Sequence, residues 1–249
     1  MGPTSRSVTP LGPARADPRD APRIGLLGGF ELRAGAFPVS LPLHVQRLLA
    51  FLALQGRPLH RAYVAGRLWS ELSQEHAHAC LRTTLWRMRR LPCSLVEATS
   101  THVALAGAVT VDTRELEACA ERALRNGDVP VGEDVDRLIR RADLLPDWYD
   151  DWLVQERERL RQLRLLALEA AGDGLIGARC YAEAAIAALA AVGSDPLRES
   201  AYRLLIRSYL ETGNVAEALR QFGVFRNQLL HELGLEPSLQ MLELVRGLT

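Results

Sequence analysis

The chain has 249 residues, of which 48% are apolar, 24% charged and 6% aromatic, so it can form one large or two modest domains with a buried core. This balance excludes disorder along the whole chain. The sequence shows no apolar run near the roughly 18 residues of a membrane helix and no hydrophobic signal segment between Met1 and Arg23, so we expect a cytoplasmic protein.

The formal net charge of zero conceals two halves of opposite charge. Residues 1–111 hold 13 arginines and 6 acidic residues, whereas residues 112–249 hold 17 arginines and 24 acidic residues. This split predicts a nucleic-acid-binding first half and a second half with another role. The four cysteines form no CxxC pair, so neither a zinc module nor a disulfide framework is indicated.

The first 111 residues predict a tail, a hairpin, three helices and a second hairpin. Residues 1–23 are rich in proline and poor in large apolar side chains, which predicts disorder. Period-two patterns in residues 24–32 and 37–41 predict a β-hairpin that turns at Ala34-Gly35. Three runs of apolar residues then have helical spacing: Val45, Leu48, Leu49 and Leu52; Ala65, Leu68, Trp69 and Leu72; and Ala77, Leu81, Leu85 and Met88. Short strands at 95–96, 103–105 and 109–111 are predicted around a polar tip at 99–102.

The third helix carries the clearest functional signal. Ser73 can cap its start and Pro92 can end it. Its side opposite the apolar stripe carries Ala79, Thr83, Arg87 and Arg90, with Arg82 and Arg89 on one flank. Arginine can pair bidentately with guanine, and threonine can contact a thymine methyl or a phosphate.

An arginine-rich helical face can also be merely solvated, but such faces normally alternate with glutamate. From Leu81 to Leu91 there are four arginines and no acid. Because this helix follows a short helix and precedes a two-stranded hairpin, the pattern is typical of a winged helix-turn-helix that binds DNA.

Everything from Asp112 onward predicts helices, at about 112–126, 133–145, 150–171, 177–191, 196–211, 215–231 and 237–248. Breaks are expected at Gly127, Pro146, Gly172, Gly213 and Pro237. The strings Ala182-Glu183-Ala184 and Ala216-Glu217-Ala218 lie 34 residues apart, which is the tetratricopeptide period. The predicted fold is therefore mainly α with a small β component, a winged helix-turn-helix (24–111) followed by an all-α, tetratricopeptide-like domain (112–249).

Several separated motifs resemble the Streptomyces antibiotic regulatory protein family. They include Leu27-Gly28-Gly29-Phe30-Glu31-Leu32, Gly66-Arg67-Leu68-Trp69 and Leu81-Arg82-Thr83-Thr84-Leu85-Trp86-Arg87-Met88-Arg89-Arg90. In the second half, Asp195-Pro196-Leu197-Arg198-Glu199 and Glu232-Leu233-Gly234-Leu235-Glu236-Pro237-Ser238 look like the bacterial transcriptional activation domain of that family. The resemblance covers about residues 24–248. No nucleotide-binding module follows, which makes a small member the expectation.

The resemblance implies an OmpR-type winged helix and an activator that binds direct repeats upstream of promoters. Two protomers are expected side by side on the DNA, recruiting RNA polymerase holoenzyme to biosynthetic genes of secondary metabolism. By match to the family's recognition helix, Thr83 and Arg87 are the expected base readers, with Arg82, Thr84, Arg89 and Arg90 nearer phosphates. The tip of the wing offers Thr101 and His102 in place of the arginine that related wings often carry.

Other site chemistries have weaker signals. His76, His78 and Cys80 offer too few ligands on one helix face for a metal, and no catalytic pair, nucleophile or cofactor loop is evident. We therefore expect that the protein is not an enzyme and that it binds neither a metal nor a cofactor. The alternative function is a helical-repeat adaptor or ligand-sensing scaffold, in which the winged helix binds protein.

Overall fold

The computed structural model describes residues 21–91, 93–126, 133–140 and 143–248. The chain divides into two compact units, one holding residues up to 24 and 31–110 and the other holding residues 25–30 and 111 onward. The fold is mainly helical with a small β component, which confirms the predicted fold class. The predicted disordered tail lies, except for residues 21–23, outside the described residues. Within the described ranges, no helix is both long and apolar enough to cross a membrane.

The N-terminal part follows the predicted order of elements, with one addition. Its elements are β1 (Pro22–Gly25), β2 (Glu31–Ala34), β3 (Phe37–Pro38), α1 (Leu43–Gln55), β4 (Leu59–His60), α2 (Arg61–Leu68), α3 (Gln74–Met88), β5 (Val96–Ala98), β6 (His102–Leu105) and β7 (Thr110–Val111). The short strand β4 was not expected. The strands form two sheets, ordered β3-β2-β1-β7 and β4-β6-β5.

The first predicted strand is interrupted, which corrects the expected continuous run from Ile24 to Leu32. The backbone has positive φ angles of 84° at Gly28 and 145° at Gly29, which no extended strand allows. The hairpin itself forms between β2 and β3, with the turn at Gly35-Ala36. Phe37 is 77% exposed, so it does not share the buried face that period two suggested.

The three predicted helices are present and bury most of their predicted stripes. α1 ends at Gln55 and is capped by Gly56, whose φ of 65° is the left-handed conformation that follows many helices. In α2 the buried residues are Val64, Ala65 and Leu68, whereas Leu72 lies beyond the helix and is 45% exposed. The prediction that Leu72 lies on the buried side is therefore wrong.

The second unit is built from seven helices among its described residues. They are α4 (Asp112–Asn126), α5 (Glu133–Ile139), α6 (Asp151–Gly177), α7 (Tyr181–Ser194), α8 (Glu199–Glu211), α9 (Val215–Leu233) and α10 (Leu239–Val245). α5 ends before the predicted residue 145, because the backbone at Asp143 and Leu145 bonds instead to Gly28 and Leu26. Gly172 lies inside α6 and does not break it, and the side chain of Leu204 occupies the space that a Cβ atom at this position would need.

The 34-residue repeat corresponds to two helix pairs, α6–α7 and α8–α9. Its shared small residues, Ala184 and Ala218, are both fully buried. Gly213 has a φ of 74° at the turn between α8 and α9, and Arg179, 34 residues earlier, has a φ of 61° at the matching turn. The two turns therefore share one left-handed backbone conformation, although only one of them has glycine.

Candidate nucleic-acid interface

The helix α3 is fixed to its unit by its capped start and its buried stripe. The hydroxyl of Ser73 accepts a hydrogen bond from the backbone N–H of His76, as predicted for an N-cap. The predicted stripe of Ala77, Leu81, Leu85 and Met88 is buried along its whole length. One side of the helix thus anchors it and the other side is left for contacts.

The exposed side of α3 gathers most of the predicted contact residues. Arg82, Thr83 and Arg87 are exposed on the helix. Arg89 caps the C-terminal end of α3, and Arg90 follows in the turn; both are exposed. These five residues therefore form one surface, called here the α3 surface.

Thr84 does not belong to this surface, which corrects its prediction as a phosphate contact. Its side chain is 1% exposed, and its hydroxyl donates to the carbonyl of Cys80 at 2.8 Å. A buried hydroxyl that bonds its own helix cannot reach DNA. The error arises because Thr84 lies on the buried side of the helix, together with Leu81, Leu85 and Met88.

Arg87 is held in place by a residue that the sequence did not single out. Its Nη1 atom lies 3.0 Å from Nε2 of His44, near the start of α1. Because a guanidinium only donates, Nε2 must accept and the ring is neutral. Burial, and secondly the charge of Arg87, hold the pKa of His44 below its usual range.

Trp86 is a second residue of the exposed side that was not predicted as a contact. Its side chain is 52% exposed, and the guanidinium carbon of Arg90 lies 3.8 Å from the centre of its ring. This is a cation–π contact. The helical period was the available signal, since position 86 follows position 83 by one turn.

The arginines of the α3 surface lack acidic partners, in contrast to those of the second unit. In the described part of the chain, no carboxylate pairs with Arg82, Arg87, Arg89 or Arg90. Arginines of the second unit instead pair with acids, as in Arg198–Glu169 at 2.7 Å and Arg226–Glu236 at 2.8 Å. The α3 surface therefore has uncompensated donors that can bind an anion.

The predicted wing is the antiparallel hairpin of β5 and β6. Thr101 and His102 are exposed there, and the Thr101 hydroxyl lies 2.9 Å from Nδ1 of His102. Arg61, the first residue of α2, donates to the carbonyl of Thr99 at 3.2 Å. The tip has no arginine of its own, yet the fold brings one to it from 38 residues away.

These features together can do two things chemically. Guanidinium groups without acidic partners can bind phosphates, and a guanidinium held at a fixed position can pair with the edge of a guanine. Phosphate contacts set the position of a protein on the duplex, and base contacts specify the sequence.

Comparison with known proteins gives one family and a related structure. The sequence matches the family described as bacterial transcriptional activator domain over residues 95–248. The regulatory proteins AfsR of Streptomyces coelicolor and of Streptomyces griseus are both 29% identical to the chain, covering 90% and 95% of it. The alignments cover 24% and 25% of those relatives, so the chain spans about a quarter of their length.

The solved structure of Mycobacterium tuberculosis EmbR in complex with a low affinity phosphopeptide has a similar fold. Its TM-score with this chain is 0.67 at 21% sequence identity, over 92% of this chain and 65% of that chain. The family match covers more than half of the chain and agrees with the motifs of the sequence. The chain therefore belongs to the Streptomyces antibiotic regulatory protein family of transcriptional activators and carries its bacterial transcriptional activator domain.

Proposed function

We propose that the chain is a cytoplasmic, sequence-specific DNA-binding activator that recognises direct repeats upstream of promoters. The observation that carries this proposal is the α3 surface, where arginines without acidic partners stand on the exposed side of an anchored helix. The arginine excess of residues 1–111 supports it, because phosphate binding draws on such charge.

We assign DNA binding to residues 24–111 and the contacts with a second protomer or with RNA polymerase to residues 112–249. Thr83 and Arg87 read bases; Arg82, Arg89 and Arg90 bind phosphates; and Thr101 and His102 contact DNA from the wing. Two protomers occupy adjacent repeats and recruit RNA polymerase holoenzyme to genes of secondary metabolism. Membership of the family supports this division of labour.

The proposal is tested by binding of the full chain to the promoter DNA next to its own gene, against a scrambled duplex, at two salt concentrations. We expect tight, sequence-dependent binding and protection of two similar tracts. Addition of RNA polymerase holoenzyme and nucleotides to the same DNA should increase transcript yield only when the chain is present. Weak binding that ignores sequence would contradict the proposal.

Two arginine variants separate base reading from phosphate binding. Arg87→Ala should weaken binding to the promoter duplex by about 1–3 kcal/mol and relax its specificity, because a base contact is lost. Arg90→Ala should weaken binding to both duplexes alike and reduce the salt dependence, because a phosphate contact is lost. Equal losses on both duplexes for Arg87→Ala would exclude its base-reading role.

One observation favours a ligand-sensing function for the second unit as a second candidate. A cavity of about 650 Å³ is lined by apolar residues, by arginines of α6 and by two acidic residues; among them are Leu27, Leu144, Arg157, Asp143 and Glu158. Pockets for small molecules commonly have this size and a mostly apolar lining. If ligand sensing were the function of the chain in place of sequence-specific DNA binding, the chain would bind the promoter duplex and the scrambled duplex with equal affinity.

A further inference from the structure

Trp86 stands in the exposed row of α3. At about 100° per residue, positions 79, 83 and 86 fall in one row along a helix. The buried residues Leu81, Leu85 and Met88 occupy the opposite side. Trp86 is therefore directed away from the core as squarely as Thr83, the predicted base reader.

The indole of Trp86 is half exposed and packs against a neighbouring guanidinium. The guanidinium of Arg90 lies over the ring, with its carbon 3.8 Å from the ring centre. The side chain of Trp86 is still 52% exposed. A side chain that is already held in one orientation loses little conformational entropy on binding. The pair thus presents an exposed apolar surface beside the cationic head of Arg90.

The chemistry of the major groove offers one partner for such a surface. Base edges there display hydrogen-bond donors and acceptors, and the C5-methyl of thymine is the apolar feature among them. The carbon edge of an indole cannot satisfy donors or acceptors, but it can cover a methyl group. The guanidinium of Arg90 can at the same time donate to a nearby phosphate.

We propose that Trp86 is a specificity-determining residue that packs against the C5-methyl of a thymine in the target site. This inference rests on the proposed DNA-binding function. It assigns the chain a preference for thymine that no arginine contact would produce.

The test uses the duplex that the full chain enriches most strongly from a randomised DNA library. Each thymine in that duplex is replaced singly by deoxyuridine, which removes only the methyl group. We expect one position in each repeat where the replacement weakens binding about fourfold, the worth of one buried methyl-sized group. With Trp86→Ala the parent duplex should bind at least about tenfold more weakly, and the deoxyuridine effect should disappear.

Two further variants test whether the effect depends on the aromatic ring of Trp86 and not on the loss of any exposed aromatic side chain. Trp86→Phe keeps a smaller aromatic surface and should retain a reduced deoxyuridine effect. Phe37→Ala removes another exposed aromatic side chain, one in β3, and should leave both the affinity and the deoxyuridine effect unchanged. Thermal unfolding of each variant establishes that it is folded.

Three outcomes would overturn the inference. A deoxyuridine effect of equal size in the original chain and in Trp86→Ala would assign the methyl contact to another residue. Equal weakening of the enriched and a random duplex by Trp86→Ala would mean a sugar or phosphate contact. Failure of the chain to enrich any sequence would overturn the proposed function and this inference together.

Discussion

At the scale of single residues, the contact between His44 and Arg87 ties a base-reading candidate to a titratable group. His44 accepts from Arg87 only while its ring is neutral. Its pKa is held down in the folded state, so the unfolded chain binds its proton at a higher pH. The stability that this contact contributes is therefore fully present above about pH 6.5, the pKa of His44 in the unfolded chain. It is lost as the pH falls through the lower pKa that His44 has in the folded chain.

We predict that the imidazole signals of His44 in an NMR titration have a midpoint below that of an unperturbed histidine. Arg87→Gln should raise this midpoint only in part, because burial is the larger cause of the lowered pKa and persists in the variant. Arg82→Gln, on the same helix, should leave the midpoint unchanged. A midpoint that does not move in Arg87→Gln would show that the charge of Arg87 does not act on His44.

The residue-level errors on α3 have a common physical origin. The apolar stripe was predicted in full because four apolar side chains, three of them large, repeat at the helical period. Thr84 is polar yet buried, since its hydroxyl is satisfied by the carbonyl of Cys80, and composition alone cannot show such a bond. Trp86 is apolar yet exposed, and it was missed because the predicted contacts on α3 were chosen among arginines and threonines.

At the scale of elements, the packing of α6 against α8 depends on one missing side chain. A Cβ atom at Gly172 would lie 2.3 Å from Cδ2 and 3.1 Å from Cγ of Leu204, which is 3% exposed and has little room to move. We predict that Gly172→Ala lowers the free energy of unfolding by about 1–3 kcal/mol, the usual cost of overpacking. Thermal or denaturant unfolding measures it.

Gly177 near the end of the same helix provides the matched control. A Cβ atom there would meet no neighbour within 4 Å. Gly177→Ala should therefore raise stability by up to about 1 kcal/mol, the helix propensity difference between the two residues. If Gly172→Ala raised the free energy of unfolding as much as Gly177→Ala does, the close approach of Leu204 to Gly172 would not affect stability, which would contradict the prediction.

Helix positions were easier to predict from the sequence than their ends and exceptions. α4 was predicted with its observed bounds, and the capped start of α3 followed from Ser73. The two-residue strand β4 is too short for any periodicity, and the break at Gly28-Gly29 lies within an alternating apolar pattern. At the turn after α6, Arg179 takes the left-handed conformation that glycine signals at the turn after α8, so the weaker repeat lacked its usual marker.

At the scale of the whole molecule, contacts between distant parts of the chain could not be predicted from local patterns. The segment 25–30 belongs to the same compact unit as the helices that begin at Asp112. Its backbone bonds to residues 143–145, and its Leu27 pairs with Leu144 as an isolated bridge. Neither alternation nor helical period carries information about partners more than a hundred residues away.

The carboxylate of Asp112 anchors this segment across 86 residues of sequence, and its removal gives a test of that role. It accepts hydrogen bonds from the backbone N–H of Leu26 at 3.0 and 2.9 Å and from that of Leu27 at 2.9 Å. Asp112→Ala leaves both donors without this acceptor, next to the fully buried side chain of Leu26. We predict a loss of about 1–3 kcal/mol in the free energy of unfolding of the full chain.

Glu121→Ala, on the same helix α4, is the matched control for Asp112→Ala. It removes an acidic residue whose ion pair with Arg125 is exposed at both ends, so it should cost no more than about 0.5 kcal/mol. Amide hydrogen exchange at Leu26 and Leu27 should quicken in Asp112→Ala but not in Glu121→Ala, because only the first variant frees those N–H groups. Unchanged exchange at both amides would mean that the neighbouring backbone bonds hold the segment without the carboxylate.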